Sequence, residues 1–260
     1  MGKATPLDPT GNYLLNKLAR ADYDLLCRDC GFETVRLEPE QIIYRHDEPI
    51  EHVYFPTTAM LSWIATTSEG ERVEVGVVGW EGMVGIPEIL GYESSPYAVE
   101  VELPGEAIRI KARQFKQEFA RFSAIHGILF RYTYTALMQL AQSSACGRFH
   151  TVEERLCRWL LMAHDRSQTD ELRLTQEILA GMIGARRPAV TLVVGVLQKA
   201  GLIRAGRGRI TLLDRDRMEA AACECYPIIR RAFDQFLGLE EPPGSGTHTD
   251  ANGGPTPPSP

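Results

Sequence analysis

The stretch TQEILAGMIGARRPAVTLVVGVL, residues Thr175 to Leu197, carries the strongest structural signal in this chain. Its apolar residues recur at three- and four-residue spacings on both sides of Gly184, which predicts two short helices packed against each other. Ala180 falls where the helices would cross, and Gly184 falls at the turn, where a positive φ favours glycine. This pattern is typical of a helix-turn-helix, whose second helix enters the major groove of DNA. An ordinary helical hairpin with an arginine-rich tip is the alternative.

The residues that follow favour DNA binding over the plain hairpin. Residues Arg204 to Leu213 are predicted to form two short strands joined by a glycine turn, and a helix-turn-helix followed by such a hairpin is a winged helix. Six Lys or Arg residues and no acidic residue lie between Arg186 and Arg209. A solvated surface usually carries both signs of charge, whereas contact with phosphates needs one sign.

Charge is divided unevenly along the chain. The net charge is -6, from 28 basic and 34 acidic residues. Residues 150–238 carry 14 basic against 11 acidic residues, residues 1–149 carry 14 against 20, and the last 22 residues add three acidic ones. This asymmetry predicts one domain that faces nucleic acid and one domain with another task.

Length and hydropathy limit the class of protein. The 260 residues are enough for two domains with separate cores. The sequence has no 18-residue apolar run and no apolar signal-peptide core, so we expect a cytoplasmic protein without a membrane span. Six cysteines in a chain of this size do not indicate a disulfide scaffold, and we expect reduced thiols.

Periodicity predicts the remaining elements. A short amphipathic helix is predicted over 12–30, and period-two alternation from Val35 to Ile110 predicts a sandwich or barrel of short strands. A long helix is predicted over about Arg113 to Gly147. We expect this helix to form a dimer seam, because two-fold symmetric DNA readers gain affinity and half-site spacing; packing within one chain is the alternative. Thr151 and Glu154 form a capping-box pattern that opens the next helix.

The order of helix, β-roll, long helix and winged helix over about residues 12–237 resembles the Crp/Fnr superfamily of bacterial transcription regulators. The resemblance is strongest over Thr175–Ile203 and over VGVVGWEGMVGIPEILG, Val75 to Gly91. It implies an α+β fold with a jelly-roll, or double-stranded β-helix, of the cyclic-nucleotide-binding type. The predicted parts are an effector domain at 12–115, a dimerisation helix at 116–149, a winged helix-turn-helix at 150–237 and a disordered tail at 238–260.

The resemblance also implies an effector pocket around a phosphate-binding cassette at Gly79–Gly91, from which this chain departs. No Lys or Arg lies between Glu81 and Arg109, although nucleotide binders of the family place an Arg there. A buried phosphate without a cation is poorly compensated, so we expect no tight binding of cyclic AMP or cyclic GMP. A different, less anionic small molecule, or none, is the expected effector. The candidate pocket residues are Trp80, Gly82, Met83, Val84, Gly85, Tyr97 and Tyr132.

The same resemblance implies how the second motif helix contacts double-stranded DNA. Arg187 stands where the family reads guanine, Pro188 stands where a Glu is common, and Leu192 replaces a second base-reading Arg. We expect fewer base contacts per half-site than in the family palindrome, a homodimer as the binding unit, and contact with RNA polymerase. The candidate DNA-binding residues are Thr175, Gln176, Arg186, Arg187, Pro188, Thr191, Arg207 and Arg209, of which Thr175, Gln176, Arg207 and Arg209 are expected to hold phosphates.

No cofactor, metal site or catalytic site is predicted. Cys27 and Cys30 are too few for the iron–sulfur cluster of the Fnr branch, and we interpret them as partly buried hydrophobic residues. Cys223 and Cys225 are also only a weak signal, and a redox role for either pair stays an open alternative. The residues His46 to His52 include metal-type ligands, but they fall in a predicted turn where charges are expected.

Two further functional classes are alternatives to a DNA reader. An enzyme is the first, and the chain contains no GxSxG, HExxH, phosphate-binding loop or dinucleotide motif. An effector-sensing or scaffold protein that keeps the fold but no longer binds DNA is the second. The acid-free segment from Arg186 to Arg209 argues against that alternative.

Overall fold

The structure of the protein is a computed structural model that describes residues 10–121, 123–167 and 169–239, without the side chains of residues 123 and 124. The first two helices of the described part are α1 (Tyr13–Asn16) and α2 (Arg20–Cys30), so the prediction of one helix over 12–30 is wrong. Asn12 explains the separate first helix. Its side chain caps α1, and its amide donates to the carbonyls of Pro56 and Gly82 at 2.8 Å each. These bonds hold α1 against the β-roll.

The alternating pattern predicts a sandwich or barrel of short strands, and the β-roll consists of seven strands. All pairs are antiparallel, in two sheets of order β1-β7-β3 and β2-β6-β4-β5. The sheets enclose a core of large side chains that includes Phe55, Trp63 and Val99. The elements are β1 (Glu33–Leu37), β2 (Ile42–Tyr44), β3 (His52–Pro56), β4 (Met60–Thr66), β5 (Arg72–Val78), α3 (Ile86–Ile89), β6 (Ala98–Leu103) and β7 (Gly105–Lys111).

Two helical segments cover the stretch 113–147, where a single long helix is predicted. They are α4 (Ala112–Arg121) and α5 (Ser123–Phe149), on either side of residue 122. α4 packs against the β-roll through Phe115 and Phe119, which are buried. α5 contacts β5 and the C-terminal helix, so one of its faces is used inside the chain.

The C-terminal part contains the predicted winged helix. The capping box at its start is confirmed. The Thr151 hydroxyl accepts the Glu154 N–H, and the Glu154 carboxylate accepts the Thr151 N–H. The predicted tail at 238–260 lies outside the described residues from residue 240 onward. The elements are α6 (Val152–Arg166), β8 (Glu171–Leu172), α7 (Gln176–Ile183), α8 (Arg187–Lys199), β9 (Ile203–Gly206), β10 (Arg209–Leu212), α9 (Arg215–Ala221) and α10 (Cys225–Leu237).

The β-roll contacts the winged helix directly through buried polar bonds. Trp159 of α6 donates its indole N–H to Glu74 of β5 at 2.6 Å. Arg166, at the end of α6, pairs with Glu81 of the cassette at 2.7 Å, and both side chains are less than 7 % exposed. These two contacts connect the β-roll to α6 within one chain.

Among the described residues, no single helix is long and apolar enough to cross a membrane. The pair α7 and α8 reaches that length and composition only in combination, and it is bent by 108°.

Candidate nucleic-acid interface

The helix-turn-helix has the geometry that its sequence predicts. α7 and α8 meet at 108°, within the range of about 90–120° that is typical of the motif. Gly184 takes φ 60° at the end of α7, and the N–H of Ala185 closes the turn on the Ala180 carbonyl at 3.0 Å. Leu179, Ile183, Val190 and Val194 are buried between the helices.

The start of α8 is open to solvent. Arg186, Arg187 and Pro188 are all exposed, and no side chain caps the helix. A helix N-terminus favours an anion because its first N–H groups point outward. Two guanidiniums beside such an end form a surface suited to phosphates and to the acceptor edge of guanine.

The wing is a tight hairpin with Arg207 at its tip. β9 and β10 pair from Leu212 with Ile203 to Arg209 with Gly206, which leaves Arg207 and Gly208 as a two-residue turn. Both turn residues have positive φ, 51° and 74°. A right-handed strand twist selects this turn type, which needs positive φ at both positions. The Arg207 side chain is thereby presented at the outer end of the wing.

The candidate residues of both helices and the wing lie close together. A Cβ atom added to Gly208 would lie 3.7 Å from the Thr175 methyl group, so the wing tip adjoins the start of α7. Thr175 accepts the N–H of Ile178 with its hydroxyl oxygen and keeps its own proton for another acceptor. The Thr191 hydroxyl lies 2.7 Å from the Gln176 amide oxygen, which joins α8 to α7.

Two acidic residues that sequence reasoning missed face the basic surface. Glu177 pairs with Arg187 at 3.5 Å, and Glu171 pairs with Arg209 at 3.1 Å. Each partner is at least 44 % exposed, so these pairs contribute about 0–1 kcal/mol and a phosphate can displace them. Both acids lie outside the acid-free segment, and only the folding of α7 and β8 brings them near.

An exposed apolar residue completes the outer face of α8. Leu192 is 71 % exposed and lies one residue after Thr191. Sequence reasoning noted Leu192 only as the loss of a basic contact. Its solvent exposure is the signal that marks it as a further candidate, because an apolar side chain in the major groove can contact a thymine methyl group.

The predicted effector pocket is filled largely by the protein itself. Tyr132 donates to the Met83 carbonyl at 2.9 Å, and a Cβ atom on Gly82 would overlap the Tyr132 ring. The carbonyl of Val84 accepts the Tyr54 N–H, and Met83 and Val84 are fully buried. These cassette groups are therefore engaged within the chain.

The remaining pocket candidates have separate surroundings. Trp80 turns to the winged helix, where its indole N–H lies 3.4 Å from the Asp165 carbonyl. Tyr97 stacks at a tilt on Trp63, with ring centroids 5.8 Å apart. Gly85 takes φ 106° and packs on Val53. Sequence reasoning missed Tyr44, whose side chain is buried and whose hydroxyl lies near the backbone of Gly85.

The acidic groups of the cassette are already paired. Glu81 accepts from Arg166, and Glu88 lies 3.3 Å from the Lys116 ammonium group. Glu93 is exposed. The cations near the cassette therefore neutralise its own carboxylates, which leaves little charge for a cyclic phosphate.

Two family models match this chain. The cyclic nucleotide-binding domain matches residues 34–122, and the Crp-like helix-turn-helix domain matches residues 154–221. Transcriptional regulator SdrP of Thermus thermophilus is 42 % identical over 53 residues, which is 20 % of this chain and 26 % of that protein. The aligned segment thus spans about a quarter of the curated relative.

Solved structures share the fold over most of this chain. FixK2 from Bradyrhizobium japonicum superposes with a TM-score of 0.64 at 18 % identity, covering 74 % of this chain and 98 % of its own. A crp/fnr family regulator from Eubacterium rectale superposes with a TM-score of 0.61 at 20 % identity, covering 80 % and 96 %. With a cyclic nucleotide-binding domain followed by a Crp-like helix-turn-helix domain, the chain belongs to the Crp/Fnr superfamily of transcription regulators.

Proposed function

We propose that this protein regulates transcription as a homodimer that reads double-stranded DNA through α8 and the wing. The observation that carries the proposal is the exposed, uncapped start of α8, with Arg186 and Arg187 beside it and Arg207 on the adjoining wing. Such a surface suits sequence readout and phosphate contact at once.

Each candidate residue has a separate role in the proposed complex. Arg187 reads the O6 and N7 acceptors of guanine, and Leu192 contacts a thymine methyl group. Arg186 and Thr191 supply further base contacts, and Pro188 preorganises the first turn of α8. Arg207 and Arg209 hold phosphates from the wing, while Thr175 and Gln176 hold them from α7.

The dimer is proposed from an exposed stripe on α5. The inward face of α5 packs in its own chain through Ile125, Ile128, Leu129, Tyr132 and Ala136. On the opposite face, exposed residues recur at alternating intervals of three and four residues. Seam positions of a two-stranded coiled coil have this spacing. The stripe consists of Gly127, Phe130, Tyr134, Leu137, Ala141 and Ser144.

The size and regularity of this stripe favour a second copy as its partner. Phe130, Tyr134 and Leu137 are 54 %, 64 % and 58 % exposed, although a lone chain gains nothing from holding three large apolar groups in water. Small residues follow them, so two such helices can approach closely along the C-terminal half. The seam would place two winged helices side by side, as a two-fold symmetric DNA site requires.

The β-roll is proposed to act on DNA binding through its contacts with α6. A ligand changes the arrangement only if it binds one arrangement better than another. The paired cassette carboxylates argue for a ligand other than a cyclic nucleotide. Contact with RNA polymerase stays a prediction of the family resemblance, without a surface assigned to it.

DNA affinity tests the proposal directly. Fluorescence anisotropy with genomic fragments is expected to show binding that weakens steeply with salt, because each phosphate contact releases a counterion. Arg187→Ala should cost about 1–3 kcal/mol per half-site and relax sequence choice. Arg231→Ala, on an exposed part of α10, is the matched control and should bind like the wild type. Equal affinity of both variants for every fragment would remove Arg187 from the interface.

A further inference from the structure

Three cysteines and one histidine meet where α5 gives way to the winged helix. Cys146 lies in the last turn of α5 and His150 follows it by four residues, directly after the helix ends. Cys223 and Cys225 lie at the start of α10, with Glu224 between them. The four ligand atoms all lie within 4.8 Å of one another. We propose that Cys146, His150, Cys223 and Cys225 bind one Zn²⁺ per chain at this joint.

The distances agree with a shared tetrahedral ion. Zinc bonds of about 2.3 Å to sulfur and about 2.0–2.1 Å to nitrogen place two sulfurs about 3.8 Å apart and a sulfur and nitrogen about 3.6 Å apart. The sulfurs of Cys146 and Cys223 are 3.5 Å apart, and the Cys225 sulfur lies 3.5 Å from Nδ1 of His150. Small shifts of side chains therefore suffice to form the site.

The surroundings of the ligands are those of a metal site. Nε2 of His150 lies 3.1 Å from the Glu224 carboxylate, which orients the ring so that Nδ1 faces the cysteines. A ligating histidine normally has such a carboxylate or carbonyl partner on its other nitrogen. Gln142 donates its amide N–H to the Cys225 sulfur at 3.1 Å, a bond that a thiolate strengthens.

The charge of the site is also compensated. Three thiolates and one Zn²⁺ leave a net charge of about -1. The side chain of Arg158 is buried, and its guanidinium is close enough to act on the Cys146 sulfur electrostatically. A buried cation beside a singly negative site keeps the region close to neutral.

Core packing, a disulfide and an iron–sulfur cluster each account for less of this arrangement. If the cysteines only filled the core, they would join the main hydrophobic cluster, yet Cys146, Cys223 and Cys225 form a separate buried cluster. A disulfide between Cys146 and Cys223 would use two of the three sulfurs and leave the orientation of His150 unexplained. An iron–sulfur cluster is disfavoured because its cysteines bind different irons and spread farther apart than ligands of one ion.

The site would fasten α10 and the linker at His150 to the end of α5. That joint sets how the winged helix sits relative to the α5 stripe. Release of the metal would therefore loosen the connection between the two halves. Zinc binding itself does not depend on the proposed DNA readout.

Metal analysis of the full chain, purified without a histidine tag and under reducing conditions, tests the inference. We expect one zinc ion per chain, and after exchange with Co²⁺ we expect the ligand-field and sulfur-to-cobalt absorption of a tetrahedral site rich in sulfur. Cys225→Ser should weaken binding by more than about 100-fold, and Glu224→Gln, which only orients His150, by about 10- to 100-fold. Cys27→Ser, outside the cluster, should bind as the wild type does.

The wild-type measurement stands even if a cysteine variant fails to fold. The site would be overturned by a wild-type chain that holds no zinc and gives no cobalt spectrum, although thiol titration after unfolding shows that all its cysteines are reduced. A Cys146–Cys223 disulfide found by mass spectrometry would overturn it in favour of a redox pair. Zinc that stays bound in Cys225→Ser at wild-type affinity would place the metal elsewhere.

Discussion

The backbone conformation of Arg207 favours glycine, whereas the proposed contact with DNA needs the arginine side chain. Its φ of 51° is a left-handed conformation that costs an L residue about 1 kcal/mol, and glycine would remove that cost. Retaining an arginine at the tip of the wing is understandable if the side chain contacts DNA. The strain is thus consistent with a phosphate contact.

Arg207→Gly is predicted to separate stability from function. The free energy of unfolding, measured with urea, should rise by up to about 1 kcal/mol because glycine accepts positive φ. DNA affinity should fall, and the salt dependence should weaken by about one unit of slope per half-site. Arg209→Ala is the control, since it removes a wing arginine without relieving strain. Unchanged DNA affinity in Arg207→Gly would exclude the wing tip from the interface.

Two buried carboxyl groups make stability depend on pH. Burial raises the pKa of Glu74 to about 7, and burial together with the neighbouring Glu74 and Glu100 raises the pKa of Glu102 to about 8. Both values lie above the 4.5 of an unperturbed Glu, so the folded state binds more protons through this window. Stability from these groups is therefore greatest at low pH and falls as the pH rises through their folded pKa values.

Glu102→Gln is predicted to flatten that dependence. The wild type should lose stability between about pH 5.5 and about pH 8, and the variant should lose less, because its amide does not ionise. Urea unfolding at the two pH values measures the difference. Glu106→Gln, at an exposed position, serves as control. An identical pH slope in wild type and Glu102→Gln would show that Glu102 does not titrate in this range.

At the scale of single residues, local signals were predictable and tertiary neighbours were not. Arg186 and Arg187 stand beside the turn glycine in the sequence, so their exposure at the start of α8 follows from the motif. The pairing of Arg187 with Glu177 depends on how α7 and α8 cross. The roles of single residues in DNA binding stay predictions.

Among the elements, α5 decides whether the protein is a dimer. The apolar periodicity of this helix includes Ile128 and Tyr132. These residues are buried within their own chain and do not form the expected dimer contact. The stripe proposed as the seam lies on the other face and includes Leu137. Period alone cannot tell which of two apolar faces meets a partner, because both repeat at the same spacing.

Leu137→Glu is predicted to break the dimer without unfolding the chain. A carboxylate at a seam position would face its own copy across the two-fold axis, which costs desolvation and like-charge repulsion. Analytical ultracentrifugation should show monomers, and DNA affinity should fall because one half-site is lost. Arg113→Glu, at an exposed position of α4, is the control and should leave the mass of the assembly unchanged. A dimeric Leu137→Glu protein would place the interface elsewhere.

The elements also show why the cysteine cluster escaped sequence reasoning. Cys146 and Cys223 are separated by 77 positions, and only the packing of α10 back onto α5 brings them together. The spacing of Cys223 and Cys225 by one residue is a weak signal alone. Cys146 and His150 are four residues apart at the end of α5, a spacing that puts both on the same side of the chain there, and this spacing is the signal that could have revealed the site.

For the whole molecule, the connection between effector domain and winged helix centres on Arg166. Its guanidinium bonds Glu81 of the cassette at 2.7 Å and the Met162 carbonyl at 3.1 Å, and it lies over the Phe233 ring. The order of the domains and the fold class were predictable from sequence, but this contact between them was not.

Arg166→Met is predicted to destabilise the protein by about 3–5 kcal/mol, because Glu81 would be left buried without its partner. The double variant Glu81→Gln with Arg166→Met should recover part of that loss in urea unfolding. Arg20→Met breaks an exposed pair, 76 % and 55 % exposed, and should cost about 0–1 kcal/mol. Additive losses in the double variant would show that Glu81 and Arg166 are not coupled.

Selection of genomic DNA fragments by the purified protein at two salt concentrations tests the central claim most directly. We predict recovery of a two-fold symmetric site whose half-sites lie about one helical turn apart, with binding that weakens steeply as salt rises. Repeating the selection with cell extract supplies an effector if one is required. Equal retention of all fragments, or of none, in both selections would contradict a dimer that reads sequence through α8.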